Sequence, residues 1–441
     1  MKNRIFIFVV GLALISSAED FSAQRADVLA MARLTNAPVM QDAEGFSSAE
    51  NLKAIYFDAL DWKGRPTKVF AWLGLPEKRQ GKVPGVVLVH GGGGTAFKEW
   101  VKLWNDHGFA AISIAVEGQT DERAAQNSKA WKQHAWAGPT RNGIYGDSTE
   151  PLKDQWMYHA VADTVLANSL LRSLPEVDAD KVGIMGISWG GVITATAMGI
   201  DDRFAFAIPT YGCGNLAEAQ NQYGRALGRN DLYKQVWDPL LRLKHVKIPV
   251  LWFSWPGDQH FPLDKQAASY RAASGPHMVT LIPGMKHGHS PGWTAPDSYA
   301  FAKSVVETGA PWCRVVGQAS RREPVLQSQS SHAPEYGTRP AGERPRYYEA
   351  TPEGSGNRVL QGDMIEVKFA SSKPLEKVVL VSTADTGVTG SRKWVETPAA
   401  LTREGAVWIA AASLPACATA WFINVHSGGL TVSSEFQESA D

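Results

Sequence analysis

Residues 185–191 read Met-Gly-Ile-Ser-Trp-Gly-Gly. An apolar run, Lys181-Val182-Gly183-Ile184-Met185, leads in, and a helix-compatible run, Val192 to Met198, leads out. The stretch therefore predicts a strand, a tight turn and a helix, with Ser188 at the apex. The pattern Gly-x-Ser-x-Gly is that of a nucleophile elbow. A side chain at either flanking glycine would collide with the neighbouring strand or helix, and glycine tolerates the geometry. Such a turn holds a hydroxyl above the sheet, at a helix N-terminus whose amides favour negative charge. The same turn would also suit a serine that merely caps the helix, so the rest of the chain has to decide.

Around that turn the pattern alternates strand and helix. Leu52 to Phe57 and Thr67 to Leu73 form a hairpin around Asp61–Pro66. Pro84–Val89, Phe109–Val116, Phe204–Tyr211, Ile248–Ser254 and Met278–Ile282 are short runs suited to strands buried on both faces. Asp154 to Leu174 carries apolar residues at helical spacing and stops before Pro175, and Ala295 to Glu307 closes the unit as a helix. Residues 120–153 lack a period and read as a long loop. The fold class is thus α/β, a mostly parallel sheet covered by helices, in which function gathers at the carboxyl ends of strands.

The composition changes near Gly317. Residues 318–344 are rich in Ser, Gln, Arg, Pro and Glu and read as a linker. Beyond them, alternating runs at Asp363–Phe369, Lys377–Thr383, Ala406–Ala410 and Ala420–Val425 predict a small immunoglobulin-like β-sandwich over 345–441. At the other end, Lys2 and Arg4 precede the apolar run Ile5–Ile15 and the small residues Ser16-Ser17-Ala18. This is the layout of a signal peptide cleaved after Ala18, which predicts a secreted or periplasmic protein not held in a membrane after cleavage. The organisation expected is therefore a signal over 1–18, a catalytic unit over 19–317, the linker and the sandwich. Lys plus Arg and Asp plus Glu number 44 each, which gives no electrostatic footing for nucleic acid. The cysteines, Cys213, Cys313 and Cys417, have no metal-ligand spacing, and no cofactor fingerprint is present. They read as free thiols or as one pair with one left over.

A serine hydroxyl needs a base and a carboxylate that orients it. In elbow folds the chain order is Ser, acid, His. Asp258, just after the run Ile248–Ser254, is the candidate acid, and Asp201 and Asp202 are weaker rivals because they follow a helix. The loop after Met278–Ile282 holds His287 and His289. His287 is chosen as base, with His289 as the alternative. Backbone amides of Trp189 and of Gly92 and Gly93, in the run His90–Thr95, are the expected oxyanion hole. Trp100, Trp131, Trp136, Tyr211, Trp255 and Trp293 fall in or beside the same loops. Of these, Trp255, Trp293, Tyr211 and Trp136 are the candidate substrate contacts.

Taken together, Val89–Phe97, Glu117-Gly118-Gln119, Gly186–Gly191 and Met285–Trp293 resemble the α/β-hydrolase superfamily over about residues 51–311. Within it they look like acetyl xylan esterases and dienelactone-hydrolase-type proteins, and are similar to the catalytic unit of prolyl oligopeptidases. The resemblance implies an acyl-enzyme at Ser188, and a small ester or acylated polysaccharide as substrate. A serine peptidase acting on small peptides is the alternative. Cephalosporin-C deacetylase-type esterases carry Arg-Gly-Gln and Gly-x-Ser-Gln-Gly; Glu117 and Trp189 stand in place of that Arg and Gln here.

Overall fold

The computed structural model describes residues 20–46, 49, 51–322 and 363–439. The predicted signal and most of the predicted linker lie outside them. Six parallel strands form the centre of the main sheet, in the spatial order Ala110–Ile114, Val83–Val89, Val177–Ile187, Ala207–Thr210, Val250–Ser254 and His277–Leu281. All of Ala110–Ile114 and all of Val250–Ser254 are buried, as in strands covered on both faces. The hairpin Leu52–Asp58 and Lys68–Gly74 extends the sheet antiparallel beyond Ala110–Ile114.

The helix Trp156–Ser173 is buried from Trp156 to Leu171, polar His159, Asp163 and Asn168 included, as in a helix enclosed by its neighbours. It packs with the helix Trp189–Ala197 over the central strands. The helices Lys98–Asp106 and Asp297–Thr308 meet through Trp104 and Tyr299. Parallel strands joined through helices give the βαβ connectivity of an α/β-hydrolase fold. From Val83–Val89 the chain goes first to Ala110–Ile114 on one side and later to Val177–Ile187 on the other. The order reverses there, so the turns after Val89 and Ile187 flank the switch point where such sheets bind ligands.

The far edge differs from the sequence expectation. His277–Leu281 is not the last strand. Leu430–Ser433 pairs antiparallel with it, and Ala420–Ser427, Lys377–Thr383 and Val395–Pro398 continue the same sheet. A second sheet of four strands, Cys313–Arg322, Met364–Ser371, Val407–Ser413 and Ala400–Glu404, completes the C-terminal β region. The boundary drawn after residue 317 thus falls within a strand. An exposed sheet edge carries unpaired amides and carbonyls, and here C-terminal strands take them up. Strands such as Leu430–Ser433 and Val395–Pro398, four residues each, are too short for alternation to reveal.

Within the long segment 120–153 the structure adds two short paired strands, Gln119–Arg123 and Trp131–Gln133. Cys213, Cys313 and Cys417 are all free, the first two buried. No helix among the described residues is long and apolar enough to cross a membrane.

Candidate active site

The elbow forms where its glycines allow it. A Cβ on Gly186 would overlap the carbonyl oxygen of Gly190, and one on Gly190 would overlap that of Val89. Between them Ser188 adopts φ 59° and ψ −118°, a conformation that costs a non-glycine residue roughly 1–3 kcal/mol. The surroundings hold it there: Ser188 N donates to Thr210 O at 2.9 Å and Val192 N to Ser188 O at 3.1 Å.

The three residues picked from chain order converge. Ser188 Oγ lies 3.0 Å from His287 Nε2, and His287 Nδ1 lies 2.9 Å from Asp258 Oδ2. A carboxylate only accepts, so Nδ1 carries the proton and Nε2 is left to accept from the serine hydroxyl. Asp258 is buried, and its Oδ1 accepts from His260 N at 2.8 Å and Phe261 N at 2.9 Å. Phe261 stacks on the His287 ring at 5.8 Å. The rival Asp201 is engaged elsewhere, accepting from both Nε and Nη2 of Arg203 at 2.7 Å and from Asn168 at 2.9 Å.

His289 is near but differently employed. Its Nε2 accepts from the Gly91 amide at 2.9 Å, which uses the lone pair that a base would need. Burial first, then the neighbouring His90, pushes its pKa down to about 4. His90 is fully buried and likewise lowered to about 4, chiefly by desolvation. Its Nδ1 donates to Gly91 O, and its Nε2 accepts from Val116 N and Gln119 Nε2. Gln119 also donates to Gly94 O at 3.0 Å. Two neutral imidazoles and one amide therefore fix the turn Gly91–Gly94, which Gly94 N closes on Gly91 O.

That turn lies beside Ser188: a Cβ on Gly91 would sit 2.9 Å from Ser188 Cβ. Gly93 has φ +73° and needs glycine for its conformation. At Gly92 a Cβ would lie 2.7 Å from Arg141 Nη2, the tip of a side chain that can move aside. Trp189 opens the helix Trp189–Ala197, so its amide has no intrahelical acceptor. The Gly91–Gly94 turn and the residue after Ser188, Trp189, are thus both next to Ser188.

Arg141 was not singled out from sequence. Its Nε pairs with Glu117 at 3.1 Å and its Nη1 donates to Gly143 O at 2.6 Å. The guanidinium lies 5.9 Å from the ring centroids of both Trp156 and Trp189. Burial raises the Glu117 pKa, with Arg141 opposing. Glu117, where cephalosporin-C deacetylase-type esterases carry Arg, is one visible signal, since a half-buried carboxylate needs a partner.

The four aromatic candidates separate. Tyr211 is fully buried, its ring 4.6 Å from that of His287 and its OH donating to Lys286 O at 3.0 Å. It is a support for the His287 loop and offers a substrate no surface, a correction to the sequence expectation. Trp293 packs among Phe97, Trp100 and His289. Trp255 covers Gly257 in the Asp258 turn. Trp136 is 41% exposed, and its ring neighbours are Tyr56 and Lys68, on the hairpin side.

Parts of the chain are similar to known proteins. The acetyl xylan esterase (AXE1) family model matches residues 16–215, a span that includes the His90–Gly94 run and Ser188 and stops before Asp258 and His287. The acetyl esterase Axe7A of Xylanibacter ruminicola is 25% identical over 149 residues, 33% of this chain and 33% of that relative. The chain thus spans about a third of that curated relative's length. Among solved structures, acetyl xylan esterase 1 from Thermoanaerobacterium sp. JW/SL YS485 is 20% identical, with a TM-score of 0.48 over 62% of this chain and 89% of that one. The acylaminoacyl peptidase of Pyrococcus horikoshii is 20% identical, with a TM-score of 0.42 over 55% and 39%.

Proposed function

We propose that the protein is a serine esterase that removes small acyl groups, acetyl above all, from carbohydrate through an acyl-enzyme at Ser188. The observation that carries this reading is the continuous chain Ser188–His287–Asp258, at 3.0 and 2.9 Å. Ser188 Oγ attacks the ester carbonyl as its proton passes to His287 Nε2. Asp258 keeps the imidazole in the tautomer that can take it. The tetrahedral oxyanion is held by the amides of Trp189 and of Gly92 or Gly93. His287 then protonates the departing sugar hydroxyl, and water activated by the same imidazole releases acetate and regenerates the serine.

The acetyl assignment draws on the family model matched by residues 16–215 and on the acetyl esterase relative. Action outside the cytoplasm is part of the same reading and rests on the signal-like residues 1–18.

Acetate release from acetylated xylan tests it. Ser188→Ala is expected to lower the rate by at least about a thousandfold. Undiminished release from the folded variant overturns the reading. Cleavage of aminoacyl-proline peptides without any ester turnover would replace it with the peptidase.

A further inference from the structure

The C-terminal β region reaches the acid and base loops directly. Thr389–Ser391 forms a short helical turn whose Thr389 and Gly390 are buried. A Cβ on Gly390 would overlap the main-chain carbonyl of Asp258 and come within 2.7 Å of Gln259 N. Thr389 Oγ1 accepts from Leu263 N at 2.8 Å, at the start of the helix Leu263–Ala272 that follows the acid turn. The base loop is gripped from the same region. Its strand, His277–Leu281, pairs with Leu430–Ser433. Leu281 N donates to Ser433 Oγ at 2.8 Å, and Leu281 O accepts from Asn424 Nδ2 at 2.9 Å.

A region that only capped a sheet edge would need the second set of contacts and not the first. The first set meets the main chain of the acid turn itself and leaves Gly390 no room for even a methyl group. We infer that Thr389 and Gly390 are positioning residues for the proposed reaction, holding the backbone of Asp258 so that its carboxylate meets His287. The inference rests on the assignment of Ser188, His287 and Asp258 above. The mechanism is geometric: an error of about 1 Å at an orienting group is enough to cost on the order of a hundredfold in rate, while substrate binding is untouched.

The test uses the full chain and a chromogenic acetyl ester. Gly390→Ala and Gly390→Val should lower kcat by at least tenfold, with KM within twofold of wild type. Thr389→Val, which keeps shape and removes the acceptor, should lower kcat by a few-fold. Near-ultraviolet circular dichroism selects the folded variants that are compared, Gly390→Val being the one most exposed to misfolding. The discriminating arm repeats each change in an Asp258→Asn background. A residue that works through Asp258 adds no further loss there, whereas general loosening multiplies the two losses. Wild-type kcat in folded Gly390→Ala and Thr389→Val, or multiplied losses, overturns the inference. Ser188→Ala runs alongside: if it keeps the wild-type rate, the reading of the site falls and this inference with it. If Ser188→Ala is inactive while the Gly390 and Thr389 variants are unimpaired, this inference alone falls.

Discussion

His289 shows how one side chain can look like a catalyst and serve as a bracket. It sits two residues from His287, yet its Nε2 is spent on the Gly91 amide. Replacing it with Ala leaves that amide unpaired, at about 1–3 kcal/mol, and frees the turn that carries Gly92. The expected result is a kcat lower by about tenfold with KM little changed, read in the same ester assay; loss as complete as in His287→Ala would mean that His289 is the base. The two bracketing imidazoles also give a pH dependence whose sign is fixed. His90 and His289 have folded pKa values near 4, below the ordinary 6.5. The unfolded chain therefore binds more protons between those limits, and stability falls as pH drops from about 6.5 to 4. For His90 alone the loss is on the order of 3 kcal/mol. Urea unfolding at pH 7 and pH 4.5 measures it, and a His289→Gln variant should show a shallower fall. The Ser–acid–His order was readable because each residue follows an apolar strand. Arg141 was not, because it reaches Glu117 and Gly92 from an aperiodic segment.

At the scale of the element, the elbow is the tightest constraint. Gly190→Ala puts a methyl group into the Val89 carbonyl, and relief requires the helix Trp189–Ala197 to move off the sheet. A loss above about 4 kcal/mol is expected, with soluble yield and thermal melting as the measurement. Gly81 provides the contrast: it has φ +78° and open space around it, so Gly81→Ala should cost about 1 kcal/mol. These two glycines look alike in sequence; only the flanking strand and helix pattern marks Gly190 as sterically fixed. The parallel strands were legible because they are buried on both faces and read as continuous apolar runs. The paired strands Gln119–Arg123 and Trp131–Gln133 were not, since their outer residues are exposed and polar.

For the whole molecule, the consequence of a shared sheet is cooperativity. The expectation of a separate sandwich followed from the change in composition near residue 317, which reports local chain character and says nothing of which edge a later strand will join. Asn424 donates to the Leu281 carbonyl and Ser433 accepts from the Leu281 amide, which ties the C-terminal strands to the core. Asn424→Ala should therefore cost about 1–3 kcal/mol through the orphaned Leu281 carbonyl. Tryptophan fluorescence and far-ultraviolet circular dichroism should report one coincident unfolding transition. Two separated transitions would show that the β region folds as an independent unit.

The central claim is that Ser188 is made nucleophilic by His287 and Asp258, and covalent labelling addresses it without assuming any substrate. Incubation with a fluorophosphonate followed by peptide mass spectrometry should find one adduct, on Ser188, forming at least a hundredfold more slowly in His287→Ala. An adduct on another residue, or labelling of Ser188 at an unchanged rate in that variant, would contradict it.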